Sequence, residues 1–139
     1  MIDRLVTFGE GLVVLRGSEL DRAPGLALGT GGAEANVAMA AARSGAVATW
    51  LGRVGDDAFG RRVVRELRAE GVTVLPIVDP APTGVIVKEL HAGGRTGVSY
   101  YRHDSAGSRL SAADVDDLPL TDTTLVHLTG ITPALSPSA

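Results

Sequence analysis

The order of apolar and helical segments between residues 5 and 78 most constrains how this chain can fold. Short apolar runs typical of buried strands stand at residues 5–8, 47–51 and 72–78. Two helical segments lie between them, at about residues 33–43 and 57–70, and a glycine follows each one, as is common just beyond a helix end. Strands that alternate with helices predict an α/β fold built on a parallel sheet.

A different pattern follows these segments. Residues 83–90 and 97–102 read as two strands joined by a glycine-containing turn, which predicts a β-hairpin that stands apart from the main sheet. Residues 12–15 are a further strand candidate, whereas residues 21–29 read as a loop. The apolar run 124–130 predicts a return to a buried strand.

The composition is that of an ordinary globular domain and excludes several classes of protein. Of the 139 residues, 45% are apolar and 21% are charged, and the net charge of -3 argues against a nucleic-acid or anionic membrane surface. There is no cysteine, and no apolar run approaches the about 20 residues of a membrane span. We expect a cytoplasmic enzyme or binding domain with no nucleic-acid or membrane partner.

No residue pattern predicts a metal site. The three histidines, His91, His103 and His127, are scattered without the spacing of metal ligands. Asp56 and Asp57 could be read as a metal pair, but capping of the following helix explains them more simply.

The stretch 31–36, Gly-Gly-Ala-Glu-Ala-Asn, places polar side chains at the start of an otherwise apolar helix. Gly31 and Gly32 allow a ligand to approach the backbone closely, and the helix start offers free N–H groups. Glu34 suits the helix dipole and Asn36 can both donate and accept hydrogen bonds, so the stretch could bind the hydroxyls of a polyol. The alternative is a glycine turn followed by an acidic first turn, without any ligand.

The stretch 100–102, Tyr-Tyr-Arg, is a second candidate for binding. It contains the only two tyrosines of the chain, and because neighbouring strand residues face opposite ways, at least one of them could face a ligand. Arg102 is suited to a carboxylate or a phosphate. The alternative is an edge-strand pair that packs on the sheet.

Several segments together resemble the PfkB, or ribokinase-like, family of carbohydrate kinases. The stretch 31–72, GGAEANVAMAAARSGAVATWLGRVGDDAFGRRVVRELRAEGV, is similar to the N-terminal signature of that family. Within the family the chain most resembles 2-keto-3-deoxygluconate kinases. The segments that carry this closer resemblance are Phe8-Gly9-Glu10, residues 31–34 and 100–102, SAGS at 105–108 and HLTGITPALSP at 127–137.

The resemblance implies a ribokinase-like, Rossmann-type three-layer sandwich with a β-hairpin lid, present here as an N-terminal portion over residues 1–139. The lid strands would lie at about residues 11–17 and 83–103. The residues that the resemblance places at the substrate are Gly32, Ala33, Glu34, Ala35, Asn36, Tyr100, Tyr101 and Arg102. Arg102 would favour the carboxylate of a sugar acid over a neutral hexose. Ile86 is a departure, because the lid of these kinases can carry a tyrosine there.

The second signature of the family, Asp-Thr/Pro-x-Gly-Ala-Gly-Asp, has no match, since Gly130 is the only glycine after Ser108. Its last aspartate is the general base in the family, and the nucleotide site lies in the same half. We therefore expect a truncated sugar-binding and lid portion without catalytic residues, unable to phosphorylate a sugar alone. ATP and Mg²⁺ are implied for the complete enzyme, and neither is expected to bind this chain by itself.

Two other functions stay open at this point. The chain could belong to a kinase of a neutral sugar such as fructose or ribose, which shares the first signature. It could also be a short non-catalytic domain that binds a sugar or a partner. A homodimer formed through the lid is compatible with all three hypotheses.

Overall fold

The computed structural model describes residues 3–139, which form two separate four-stranded sheets and two α-helices. The strands are β1 (Arg4–Phe8), β2 (Leu12–Ser18), β3 (Ala27–Gly31), β4 (Val47–Gly55), β5 (Thr73–Asp79), β6 (Val85–Leu90), β7 (Thr96–Tyr101) and β8 (Thr124–His127). The helices are α1 (Ala33–Arg43) and α2 (Ala58–Ala69). In the part of the chain that the structure describes, neither helix is long and apolar enough to cross a membrane.

The main sheet is the parallel sheet that the alternation of strands and helices predicts. Its strand order is β5-β4-β1-β8, and all three pairings are parallel. The central strand β1 sets Val6 opposite Thr49 on one side and Val126 on the other. The prediction of a buried strand over residues 124–130 is wrong: β8 ends at His127, and its Leu125 and Val126 are exposed because β8 is an edge strand of the described sheet. The His127 ring lies 3.2 Å from the Thr7 hydroxyl.

Both helices pack on one face of the main sheet. The predicted bounds of α1 are confirmed, and its Ala35 and Ala38 join the α2 residues Val63 and Leu67 around the fully buried Trp50. Helix α2 begins after Asp57, as the capping interpretation predicts. The Asp57 carboxylate accepts hydrogen bonds from the Gly60 N–H at 2.7 Å and the Thr83 N–H at 2.8 Å.

Short 3-10 turns, rather than α-helices, cover the other face of the main sheet in the described residues. They lie at Ala106–Arg109 and Ala112–Asp114, and they bring Leu110 and Leu118 onto Val6 and Leu51. A third such turn, Thr132–Ala134, follows β8.

The second sheet has the strand order β3-β2-β6-β7. Strands β6 and β7 form the predicted hairpin. Strand β2 pairs with β6 in parallel, so the connection from β2 to β6 contains every element from β3 to β5. Residues 27–29 were predicted as loop and belong to β3 instead. Their glycine-rich sequence gives no strand signal, and pairing with β2, for example Leu15 with Leu28, is what makes them a strand.

Candidate functional site

The main sheet, α1 and the second sheet meet around a cavity of about 180 Å³. The lining residues come from the end of β1, the start of α1, one face of the second sheet and the loop after β8. They are Glu10, Leu12, Gly32, Ala33, Glu34, Asn36, Ile86, Lys88, Tyr100, Arg102 and Ile131. Polar side chains from elements far apart in sequence thus converge on one small, partly open space.

Gly32 sets the distance between β1 and α1. Its φ of 126° lies in a region that side chains rarely adopt, and a Cβ atom there would overlap the backbone oxygen of Glu10. The sequence predicts that a ligand approaches the Gly32 backbone closely. In the structure the backbone of Glu10 makes at least part of this close approach. The result is that Glu10 and the first turn of α1 form one continuous wall.

Glu10 is the most constrained polar residue of the cavity. Its side chain is 2% exposed, and its carboxylate accepts a hydrogen bond from the Ser105 hydroxyl at 2.9 Å. The other oxygen accepts from an Arg102 Nη at 3.2 Å. Burial raises the pKa of Glu10 above its usual range, and the Ser105 hydrogen bond and the Arg102 charge oppose that rise only in part.

The glycines around Glu10 leave no spare room. A Cβ atom on Gly107 would overlap the Glu10 side chain, and one on Gly84 would lie 2.8 Å from a Glu10 oxygen. The carboxylate is therefore held in one position by packing as well as by hydrogen bonds.

Glu34 lies in the first turn of α1 and is 1% exposed. Its Oε1 accepts hydrogen bonds from the Thr129 hydroxyl at 2.6 Å, the Thr129 N–H at 3.2 Å and the Thr132 hydroxyl at 3.2 Å. This carboxylate therefore joins the first turn of α1 to the loop after β8. A buried polar group at the start of an apolar helix thus has partners that lie about a hundred residues away in sequence.

The second sheet supplies the opposite wall. Ile86 on β6 lies directly across from Tyr100 on β7, so both side chains share one face. The Arg102 guanidinium lies 4.5 Å from the centre of the Tyr100 ring, a cation–π contact that orients both groups. Ile86 packs with Leu12 and Val14 to form the apolar base of this wall.

Six of the eight residues predicted at the substrate line the cavity: Gly32, Ala33, Glu34, Asn36, Tyr100 and Arg102. Ala35 and Tyr101 do not. Ala35 is fully buried on the sheet side of α1, in the core around Trp50. Tyr101 is 66% exposed because it follows Tyr100 on a strand and so points to the opposite face.

Sequence reasoning missed four lining residues, namely Glu10, Leu12, Lys88 and Ile131. Glu10 carried a signal, since a glutamate between two glycines directly after a buried strand lies at the edge where parallel sheets bind ligands. Lys88 follows Ile86 by two residues and so shares its strand face. Ile131 carried no signal, because the return of the chain after β8 brings it to the cavity.

Nearly the whole chain matches one protein family. Residues 2–139 match the model of the pfkB family carbohydrate kinases, and the chain belongs to this family of phosphotransferases. The 2-dehydro-3-deoxygluconokinase of Thermoproteus tenax is 48% identical over 112 residues, which cover 78% of this chain and 34% of that protein. The enzyme of the same name from Bacillus subtilis is 37% identical over 137 residues, covering 94% of this chain and 42% of that protein.

Solved structures agree with this assignment. The crystal structure of a PfkB protein from Polaromonas sp. JS666 superposes with a TM-score of 0.89 at 34% identity, covering 99% of this chain and 48% of that one. The fold is therefore the predicted ribokinase-like α/β fold. Fructokinases are among the further relatives, including fructokinase-1 of rice at 37% identity. The chain spans less than half the length of each of these proteins.

Proposed function

We propose that this chain is the sugar-binding portion of an ATP-dependent kinase that phosphorylates 2-keto-3-deoxygluconate, the sugar acid also called 2-dehydro-3-deoxygluconate. The observation that carries the proposal is the pairing of two unlike walls in one cavity. The α1 wall offers Asn36 and the backbone at Gly32 to hydroxyl groups, and the second sheet offers Arg102. The names of the two relatives described above support the same substrate.

Arg102 is the proposed contact for the carboxylate. Glu10 accepts from one of its Nη atoms, and a guanidinium has five N–H donors, so others stay available to a ligand. The ring of Tyr100 stacks against the Arg102 guanidinium and orients it, and Tyr100 also lines the cavity. In this proposal the second sheet is a lid that closes over the sugar.

ATP with Mg²⁺ is the proposed phosphoryl donor of the complete enzyme, since kinases of this family use ATP. The cavity itself does not fit a nucleotide. Its volume of about 180 Å³ is below the about 300–1,000 Å³ of typical ligand sites. We therefore propose a sugar site only, and no catalytic base among the described residues.

The experiment is a comparison of sugar binding by isothermal titration calorimetry. We expect the unmodified chain to bind 2-keto-3-deoxygluconate more tightly than fructose. Arg102→Met should weaken binding of the sugar acid at least about tenfold, the loss expected for a charged hydrogen bond, and change fructose binding by less than about twofold. Arg95→Met, on the exposed hairpin turn, is the control and should change neither.

A kinase of a neutral sugar is the second candidate, and Ile86 favours it. An apolar side chain in the cavity wall offers no hydrogen bond where lids of the sugar-acid kinases can carry a tyrosine. The same calorimetry separates the two candidates, because equal affinities of the unmodified chain for the acid and for fructose would support the neutral sugar.

We further propose that the lid forms a homodimer. Three apolar side chains on the cavity side of the second sheet stay exposed, namely Leu90 at 52%, Val98 at 46% and Tyr100 at 56%. The pairing of β6 with β7 places them on one face. A second copy of this sheet is the occupant that the proposal assigns to that face.

A further inference from the structure

Lys88 has no assigned role, although it lies in the wall of the cavity. It is half-buried on β6, and it shares the strand face of Ile86 and Tyr100 because residues two apart on a strand point the same way. Within residues 3–139 its ammonium group has no ion-pair or hydrogen-bond partner. A lysine that borders a small cavity without a counter-ion is available to an anionic ligand.

The other charges of the cavity already have partners. Arg102 is paired with Glu10, so together they leave little net charge. Glu34 is bound by the threonines after β8, on the α1 side. Lys88 is therefore the one cation of the described cavity wall without a partner.

Neighbouring residues of β6 do not neutralise Lys88. Glu89 points to the opposite face of the strand, where it accepts a hydrogen bond from the Leu20 N–H at 3.0 Å and lies 3.8 Å from His91. Val98, directly across the hairpin from Lys88, is apolar. On the other side Arg16 is the residue in register, and it is also positive.

We infer that Lys88 determines specificity by binding the carboxylate of the substrate. The inference rests on the proposed function, and it adds an orientation to it. The carboxylate lies against the second sheet, between Lys88 and Arg102, and the hydroxyl groups lie against the α1 wall with Asn36. A neutral sugar gains nothing from Lys88, and removing Lys88 leaves the Arg102–Glu10 pair intact.

The test measures dissociation constants of 2-keto-3-deoxygluconate and fructose by calorimetry for three lysine variants and a matched control. Lys88→Met should weaken binding of the acid about tenfold and change fructose binding by less than about twofold. Lys88→Arg keeps the charge and should stay within about threefold of the unmodified chain for the acid. Lys88→Gln repeats the test with a polar side chain if the methionine variant loses the near-ultraviolet circular dichroism signal of the buried Trp50.

Arg16→Met is the matched control. Arg16 has the same charge and lies in register with Lys88 on the adjacent strand. It lines a neighbouring recess that Lys88 also borders, but unlike Lys88 it does not line the cavity. Because Arg16 is exposed and does not border the cavity, its loss should change acid binding by less than about twofold. Equal losses of affinity for the acid in Arg16→Met and Lys88→Met would mean that the positive charge of the sheet as a whole attracts the acid, without a specific contact from Lys88. That result would overturn the inference.

The outcomes also separate this inference from the proposed function. If the unmodified chain prefers the acid and Lys88→Met keeps that preference, the inference is wrong and the proposed substrate stands. If the unmodified chain binds both sugars equally, or binds neither, both the proposed substrate and the role of Lys88 are wrong.

Discussion

At the scale of single residues, Glu10 connects the parts of the site. It follows the central strand of the main sheet, it binds the turn at Ser105, and it pairs with Arg102 next to the second sheet. Removing a carboxylate from water is unfavourable, and only partial compensation by its partners leaves its pKa raised. The position of this charge is thus maintained at a cost in stability, as is common where a protein orients a group for binding.

Glu10→Gln tests that cost through the pH dependence of stability. Because the folded-state pKa of Glu10 is raised above the usual 4.5, the folded chain holds its proton more strongly than the unfolded chain. The free energy of unfolding should therefore fall as pH rises from 4.5 through the raised pKa, and Glu10→Gln should lack this decline. Urea unfolding between pH 4.5 and 8 measures it, with the exposed Asp116→Asn as control. If the stability of Glu10→Gln declines with rising pH as steeply as that of the unmodified chain, the decline does not come from a raised pKa of Glu10.

At the scale of elements, an arginine joins the main sheet to the 3-10 turns on its second face. Arg53 on β4 contacts both oxygens of Asp114 at 2.7 and 2.8 Å, and also Asp79 at the end of β5 at 2.8 Å. The hydrogen bonds from Arg53 hold the pKa of Asp114 below its usual range. Burial alone would raise the pKa of Asp79. Hydrogen bonds from the Ala81 N–H and Arg53 outweigh burial, so the pKa of Asp79 is also lowered.

Arg53→Met should destabilise the chain by about 3 kcal/mol near pH 7, because it leaves Asp114 without its cation and Asp79 with only the longer Arg109 contact at 3.2 Å. Both lowered pKa values mean that the stabilisation is present above the usual 3.8 and is lost as pH falls through the folded-state values. The difference between the two proteins should therefore shrink in strong acid. Urea unfolding at pH 7 and at pH 3 measures both effects. Arg43→Met removes an equally bidentate but exposed pair with Glu70 and should cause no measurable change.

Local signals predicted those elements whose formation depends on neighbouring residues. The glycines after both helices, the Asp57 cap and the order of apolar runs were sufficient for α1, α2 and the parallel sheet. Strand β3 was missed because only its pairing with β2 makes it a strand. The partners of Glu34, which lie in the loop after β8, were missed for the same reason. Contacts of this kind are set by the assembled fold, and no spacing within the sequence encodes them.

At the scale of the whole molecule, the two sheets are joined on both sides of the cavity. On one side the Arg102–Glu10 pair and Ser105 connect the second sheet to β1. On the other side Val13 enters the core around Trp50, and Arg62 of α2 donates to the Leu28 carbonyl at 3.1 Å. The second sheet is therefore held at its base, and the outer end of β6 and β7 extends away with apolar side chains exposed.

The exposed outer end of β6 and β7 is the contact surface of the proposed homodimer. Val98 lies 46% exposed in the middle of the apolar face, so Val98→Glu would place a charge where the two copies meet, and we expect at least about tenfold weaker dimerisation. Val47→Glu is the control, because Val47 is the same residue at similar exposure, 54%, on the main sheet. Sedimentation equilibrium of the unmodified chain and both variants measures the dissociation constant. A monomeric unmodified chain, or equal weakening of dimerisation by both variants, would contradict a dimer formed through the second sheet. Weaker dimerisation in Val98→Glu alone would identify that sheet as the contact between the two copies.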